Sequence, residues 1–188
     1  MSPASADPQV ITKACIGVVE AALSKATNLS FSSPPTFVEK QIIEYDSRMR
    51  VFGLEIFEGG CYICPINFYL NEQDMKSDRP CGAFILYIGE ANVGRLLIGL
   101  GHKKVDDDDP EAVLNVFADF CKSLADSFQK EMTKHGSPAL ILPATAQKFQ
   151  NYVHDGINFH YDEYSKYEVS FYLWKEKVMV IDITMKKL

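Results

Sequence analysis

Apolar residues recur at helical spacing in two segments of the chain, and each segment opens with Asp-Pro. In the first, Asp7 is a predicted N-cap and Pro8 the first helical residue, and apolar positions three and four apart follow until the pattern fades near Asn28. In the second, Asp109 and Pro110 take the same two roles. The pattern therefore predicts two amphipathic helices, one early and one in the middle of the chain.

The second helix has a well-defined apolar stripe and a clear end. Its buried face is predicted to consist of Val113, Val116, Phe117, Phe120, Leu124 and Phe128. Gly136 followed by Pro138 is typical of a helix C-terminus. A third, shorter helix is predicted over residues 90–100, although its glycines weaken it.

Residues rich in β-branched and aromatic side chains predict the strands. They lie at residues 41–45, 50–57, 62–70, 83–88, 139–142, 157–161, 167–174 and 177–185, with loops at 30–35 and 71–80. Within 167–174, apolar residues alternate with Glu168, Ser170, Tyr172 and Trp174, the period of a half-buried antiparallel strand. Together the elements predict an α+β domain with its helices packed on one mainly antiparallel sheet.

The length of 188 residues predicts one domain, residues 1–188, large enough to bury a core without disulfides or metals. The two Asp-Pro helices lead into strands in the same order. This echo leaves open whether the domain consists of two pseudo-repeated halves, at about 7–105 and 106–188. A hydrophobic content of 47% with 23% charged residues indicates a globular protein.

The net charge and the lack of a visible targeting signal limit the expected partners and the expected compartment. A net charge of −6 with no visible basic patch argues against nucleic acid. The first nine residues resemble no secretory signal, and no apolar run approaches the roughly 18 residues of a membrane span. Five cysteines without an export signal favour reduced thiols. We therefore expect a cytoplasmic protein without membrane insertion.

The sequence offers little support for metal or cofactor chemistry. Cys61 and Cys64 form a C-x-x-C, but residues three apart on a strand point to opposite faces, and no second ligand pair follows. The four histidines form no HExxH motif, and the glycines spell neither a dinucleotide fingerprint nor a phosphate loop. The acidic run at residues 106–109 is explained by the dipole of the following helix. No cofactor or metal is predicted.

The polar side of the long helix carries Asp119, Lys122 and Asp126 in one stripe. Spacings of three and four make these residues neighbours on a helix surface. Three interpretations stay open. The stripe is a solvated face with exposed ion pairs, a ridge that binds a partner, or an active chemical site.

Several segments resemble the CheC/CheX family of chemotaxis phosphatases. They are the strand AFILYIG, the helix near Arg95, the long helix from Pro110 and the phrase ILPATAQ that follows it, over roughly the last 105 residues. The resemblance implies a CheX-like α+β fold. It also implies a partner, because members of the family dephosphorylate the receiver protein CheY.

The signature of the family is an acid followed three residues later by asparagine on the exposed side of the long helix. In the family, the acid pairs with a receiver lysine and the amide positions the attacking water. On this chain the acid position falls on Asp119 and the amide position on Lys122. An ammonium group only donates hydrogen bonds, so it cannot replace the amide oxygen. A scan of the whole sequence for acid-x-x-Asn gives one match, Asp155 to Asn158, which is expected in a turn entering a strand.

The resemblance thus predicts a chemotaxis-type signalling protein that binds a CheY-like receiver through Asp119, Lys122 and Asp126. Aspartyl-phosphate phosphatase activity is doubtful, so whether the protein is an enzyme is left open. The alternative is a non-catalytic assembly module related to flagellar motor switch proteins, and a third possibility is an enzyme with an unrecognised site. A homodimer is also predicted, because residues 177–185 place Met179 and Ile181 on an apolar strand face that would pair if it lay at a sheet edge.

Overall fold

The computed structural model describes residues 7–26, 29–42, 44–45, 48–52, 56–102, 109–150, 153–158 and 165–186. Its helices are α1 (Pro8–Ser24), α2 (Glu72–Lys76), α3 (Glu90–Gly99) and α4 (Pro110–Lys134). Its strands are β1 (Ser33–Gln41), β2 (Glu44–Tyr45), β3 (Arg48–Phe52), β4 (Cys61–Phe68), β5 (Gly82–Gly89), β6 (Phe149–Gln150), β7 (Val153–Asn158), β8 (Ser165–Leu173) and β9 (Glu176–Met185).

The strands form two antiparallel sheets. The larger sheet has six strands in the order β1-β8-β9-β5-β4-β6, and the smaller has three in the order β2-β3-β7. Helices α1 and α4 pack against each other and lie on the large sheet, α1 against β8 and α4 against β4. The architecture is therefore the predicted α+β fold, with long helices beside an antiparallel sheet.

The main core lies between the two long helices and the large sheet. Aromatic rings carry much of it: the ring centroid of Phe128 lies 5.6 Å from that of Phe84 and 6.1 Å from that of Phe68. Phe117 meets Tyr62 edge-on at 5.8 Å. Such pairs add stabilisation beyond the area that they bury. Because α4 supplies Phe117 and Phe128, the core fixes which side of α4 is left for solvent.

The opposite face of the large sheet is also covered. Ile63, Ile85, Tyr87 and Val180 are fully buried there, and Phe57 and Phe149 pack against them. Both faces of the central strands are therefore buried, which explains why β5 is buried at every residue from Gly82 to Gly89.

Several predicted boundaries were wrong. The loop expected at 30–35 contains the start of β1, because Ser33 pairs with Tyr172 and Thr36 with Ser170. The strand expected at 41–45 divides between the end of β1 and β2. The polar segment 71–80 contains α2, whose first turn is capped by the Asn71 side chain accepting a hydrogen bond from Asp74 N at 2.9 Å.

Two further predictions in the second half need correction. The strand expected at 139–142 is only an isolated bridge between Ile141 and Tyr69. Strand β9, which would offer its apolar face for pairing if it lay at a sheet edge, lies between β8 and β5, and its Met179 and Ile181 are fully buried in the main core. Its apolar face is therefore satisfied within the chain, which removes the stated basis for the predicted homodimer.

Candidate functional site

Helix α4 begins and ends as the sequence predicted. Asp109 caps it, its Oδ1 accepting a hydrogen bond from Ala112 N at 3.1 Å, and Pro110 follows as the first residue. At the other end Gly136 has φ of +90°, Gly136 N donates to Thr133 O, and Ser137 N donates to Met132 O. This pair of bonds is a Schellman motif, in which glycine is favoured because φ is positive. Both ends are thus fixed, and so is the face that α4 presents.

The polar ridge, defined as Asp119, Lys122 and Asp126, lies on the side of α4 away from the core. Asp119 is exposed, and Lys122 and Asp126 are partly exposed. The exposed surface of α4 is narrow at Asp119, because its sequence neighbours Ala118 and Phe120 are both buried. The structure therefore brings the three predicted residues together on one surface.

The Lys122 ammonium makes a contact that the sequence did not predict. Its Nζ donates a hydrogen bond to the carbonyl oxygen of Ala144, at 2.7 Å. No ion pair joins Lys122 to Asp119 or Asp126 in the part of the chain that the structure describes, so the predicted ladder of ion pairs does not form. Lys122 instead attaches the loop after α4 to the helix.

The loop that Lys122 holds is the ILPATAQ segment, residues 141–147. It is fixed at its start by two backbone hydrogen bonds, Tyr69 N to Ile141 O at 3.0 Å and Ile141 N to Tyr69 O at 2.8 Å. After the loop, Phe149 pairs with Ile63 of β4. The segment is therefore attached at both ends to the sheet and in its middle to the ridge.

Asn115 is a neighbour of the ridge that sequence reasoning missed. It lies on the exposed side of α4, one helical turn before Asp119, and its Oδ1 accepts a hydrogen bond from Lys148 Nζ. Its spacing from Asp119 was the available signal, since residues four apart share a helix face. The surface thus contains an acid and an amide, but in the reverse order to the family signature.

The arrangement restricts what the ridge can do chemically. A side chain that orients a water for attack has to offer an acceptor at the right place. At the predicted amide position, Lys122 offers only donors, and one of these is already used by Ala144. Asp119 is exposed and can pair with a cation on a partner. The ridge is therefore better suited to binding than to activating water.

The cysteines lack the features of reactive thiols. All five are buried, and none forms a disulfide with another described residue. Cys61 belongs to the core on one face of the sheet and Cys64 to the core on the other, as the spacing on β4 predicted. Burial, with a smaller contribution from Glu90, raises the pKa of Cys61 to about 12, and burial raises that of Cys81 to about 11. These thiols stay protonated at neutral pH, so they are poor nucleophiles.

Other candidate sites can be placed within the described residues. There, no cluster of three or more histidine, cysteine, aspartate or glutamate side chains is arranged to hold a metal. The acidic run at 106–108 lies outside the described residues. Asp155 and Asn158, the one match in the sequence to the acid-x-x-Asn pattern, both belong to strand β7 and not to a helix. No helix in the described part of the chain is both long and apolar enough to cross a membrane.

Comparison with known proteins identifies the fold. The CheX chemotaxis protein of Vibrio vulnificus aligns over 94% of this chain and 99% of its own, with a TM-score of 0.60 and 12% identity. CheX in the CheX–CheY–BeF3–Mg complex of Borrelia burgdorferi aligns over 95% and 96%, with a TM-score of 0.51 and 12% identity. This chain has the CheC/CheX fold. No protein-family model and no curated sequence matches it.

The protein FliY of Thermotoga maritima is also similar in structure to this chain. Thermotoga maritima FliY aligns over 95% of this chain and 90% of its own, with a TM-score of 0.58 and 11% identity. Identities this low establish common architecture and leave function to be argued from the residues of this chain.

Proposed function

We propose that this chain is a chemotaxis-type signalling protein that binds a CheY-like receiver domain through the polar ridge, with little phosphatase activity of its own. The CheC/CheX fold supports this proposal, as does a structural neighbour that was solved together with CheY. The exposed carboxylate of Asp119 supports it further, because it can pair with a lysine of the receiver.

One observation carries the distinction between binding and catalysis. Lys122 is the residue that the resemblance places at the family's amide position, and its ammonium donates to Ala144 O at 2.7 Å. In dephosphorylation of an aspartyl phosphate, the attacking water has to be aimed in line with the leaving oxygen, and positioning supplies most of the catalysis. A lysine held by a loop carbonyl does not supply that positioning.

A second function is favoured by the likeness to FliY. Under this alternative the chain is a non-catalytic assembly module related to flagellar motor switch proteins. The missing amide fits this function equally well. The two functions differ in whether the phosphorylation state of a receiver affects binding.

Binding to receiver domains of the same organism separates the two functions. The titration uses each receiver with and without beryllofluoride, which mimics its phosphoryl group. We expect tighter binding of the activated receiver and a loss of about tenfold in Asp119→Asn, the size of one lost charge-assisted contact. Glu20→Gln, on the exposed face of α1, is the matched control and should change nothing. Equal binding of both receiver forms would favour the assembly module.

Restoring the amide tests the account of Lys122. The variants are Lys122→Asn, the double variant Asp119→Glu with Lys122→Asn, and Lys122→Met, which removes the contact with Ala144 without supplying an amide. We expect the double variant to accelerate loss of acyl phosphate most, since residues acting in one site couple. The gain should be modest, because a displacement of about 1 Å can cost on the order of 100-fold. A fast wild-type phosphatase, or equal gains from asparagine and methionine, would contradict the proposal.

We also propose that two copies of this chain form a homodimer that pairs through β1 and not through β9. Among the described strands β1 lies at one edge of the large sheet, and its Phe37 and Val38 are each about half exposed. Long exposed edges are templates for pairing between chains. Sedimentation of the wild type and of Val38→Lys tests this proposal, and a dimer that survives the substitution would contradict it.

A further inference from the structure

A groove runs along the surface between α1 and α4, beside the polar ridge but not part of it. Its volume is about 680 Å³. Its floor is apolar and includes Ala14, Val18 and Leu124, all of which are buried. None of the three ridge residues lines it. The groove is therefore a second surface, formed by a different side of α4.

The rim of the groove is strongly basic. Lys13 of α1 and Lys25, directly after its last residue, face Lys130 and Lys134 of α4 across it, and all four are exposed. Among the described residues that line it, the only acidic side chain, Glu131, is bound to Lys134 at 2.6 Å. Lys13, Lys25 and Lys130 form no ion pair within the residues that the structure describes. In a chain with a net charge of −6, this local excess of positive charge marks a site for an anionic partner.

Gly17 leaves the groove open at the middle of α1. It lies in the middle of α1 and lines the groove, and a Cβ added there would meet no atom within 4 Å. Glycine inside a helix destabilises it relative to alanine. Nothing in the described structure requires the glycine, because a side chain would fit in open space. The backbone at Gly17 is therefore accessible to the close approach of a partner.

We propose that this groove binds an amphipathic helix with acidic flanks, supplied by a protein partner. Apolar side chains of the partner would lie on the floor between α1 and α4, with its backbone close to Gly17. Its carboxylates would pair with Lys13 and Lys25 on one rim and with Lys130 on the other. From Val10 to Lys25 a helix rises about 22 Å at 1.5 Å per residue, so a helix of about four turns matches the groove.

The probe for this proposal is a labelled 16-residue helical peptide, with leucines at helical spacing of three and four and glutamates on both flanks. A peptide of the same composition with its leucines scattered around the helix controls for charge alone. We expect the amphipathic peptide to bind at least about tenfold more tightly and its affinity to fall as salt rises. Equal binding of the two peptides would overturn the proposal, because charge without the apolar floor would then explain it.

Variants of the chain complete the test. Gly17→Leu fills the groove without opposing the fold, so we expect at least about tenfold weaker peptide binding at an unchanged or higher melting temperature. Lys130→Glu should weaken binding by about fivefold or more. Lys76→Glu, an exposed charge reversal on α2, is its matched control and should have an effect below about twofold. Full peptide binding by Gly17→Leu would overturn the proposal.

Two further measurements identify the occupant. Receiver binding by Gly17→Leu should equal that of the wild type, so that failure at the groove and failure at the ridge can be told apart. Sedimentation of the wild type and of Gly17→Leu tests whether a second copy of the chain fills the groove. Self-association that only the wild type shows would overturn the assignment to a different protein.

Discussion

The two faces of the large sheet are both buried, but by different means. On the face beneath α1 and α4, β8 and β9 contribute only apolar side chains to the core, such as Val169 and Ile181. On the other face, the same two strands bury Glu168, Ser170, Asp182 and Thr184. Alternate residues of one strand therefore enter two unlike environments.

We call the face that buries Glu168, Ser170, Asp182 and Thr184 the polar face. Its most deeply buried carboxylate is that of Asp182. Asp182 is 1% exposed, and its Oδ2 accepts a hydrogen bond from the buried Tyr87 hydroxyl at 3.0 Å and another from Lys166 Nζ. Its other oxygen, Oδ1, has no hydrogen-bond partner among the residues that the structure describes. Burial raises the pKa of Asp182 despite the opposing effect of Lys166. The difference between the faces teaches that burial on this sheet is set by position in the sheet and not by polarity.

The largest effect is expected on the apolar face. Phe128→Ala removes a ring that contacts Phe68 and Phe84, and we expect unfolding to become easier by about 3–5 kcal/mol. Phe37→Ala, at a half-exposed position of β1, is the matched control and should cost about 1 kcal/mol or less. Denaturant titration measures both. Similar losses would mean that the helix-covered face is not the main core.

On the polar face we expect Asp182→Ala to cost about 3 kcal/mol, because it leaves the mostly buried Lys166 without its carboxylate. Asp182→Asn should cost less, since the amide keeps the shape and can still accept from Tyr87. The measurement is again the free energy of unfolding. If alanine were tolerated as well as asparagine, the hydrogen bonds of Asp182 would contribute nothing.

The free energy of unfolding should also depend on pH through Asp182, for which the apolar face has no counterpart among the described residues. The folded-state pKa of Asp182 is raised above its ordinary value of 3.8, so folding favours the protonated form. The stability that this group contributes is present below that value and is lost as pH rises through the raised pKa. The unfolding free energy of the wild type relative to Asp182→Asn should therefore decline with rising pH, by at most about 1.4 kcal/mol per unit. A rise would show that Lys166 outweighs burial.

The smallest effect is expected at the edge of the polar face. Lys40 Nζ lies 2.6 Å from Glu168 Oε2, but the lysine side chain is 47% exposed. Pairs this open to water typically contribute less than about 1 kcal/mol, so Lys40→Met should change the unfolding free energy by no more than that. Chemical denaturation at low and high salt checks it. A loss above about 2 kcal/mol would show that the Lys40–Glu168 pair contributes as much stability as the buried Lys166–Asp182 pair.

Helix periodicity predicted the apolar face well. Apolar residues that repeat at helical spacing lie on one side of a helix, and that side packs on the core. Both N-caps and the end of α4 followed from local signals, since capping depends on neighbouring residues. Strand alternation misled on the other face. Glu168 and Ser170 of β8 alternate with apolar residues as a solvated face would, yet both are buried. Glu168 is paired with Lys40, which lies 128 residues away in the sequence, and alternation carries no information about such a neighbour.

The candidate site was predicted in part. The grouping of Asp119, Lys122 and Asp126 followed from helical spacing, which the structure reproduces on α4. The partner of Lys122 did not follow, because Ala144 lies 22 residues away and offers only a backbone carbonyl. The basic groove was missed for a similar reason. Lys13 and Lys130 become neighbours only when α1 packs against α4, and Gly17 attracts attention only once the space above it is known.

The central position of β9 has a consequence for synthesis. Gly82 of β5 pairs with Met185 of β9, so the sheet cannot close until roughly a hundred further residues have been translated. At about 5–20 residues per second, that delay is on the order of 5–20 s. Throughout it, the apolar strand β5 lacks its native neighbour on that side. The ribosome, and not the intrinsic speed of collapse, therefore sets when this core can form in the cell.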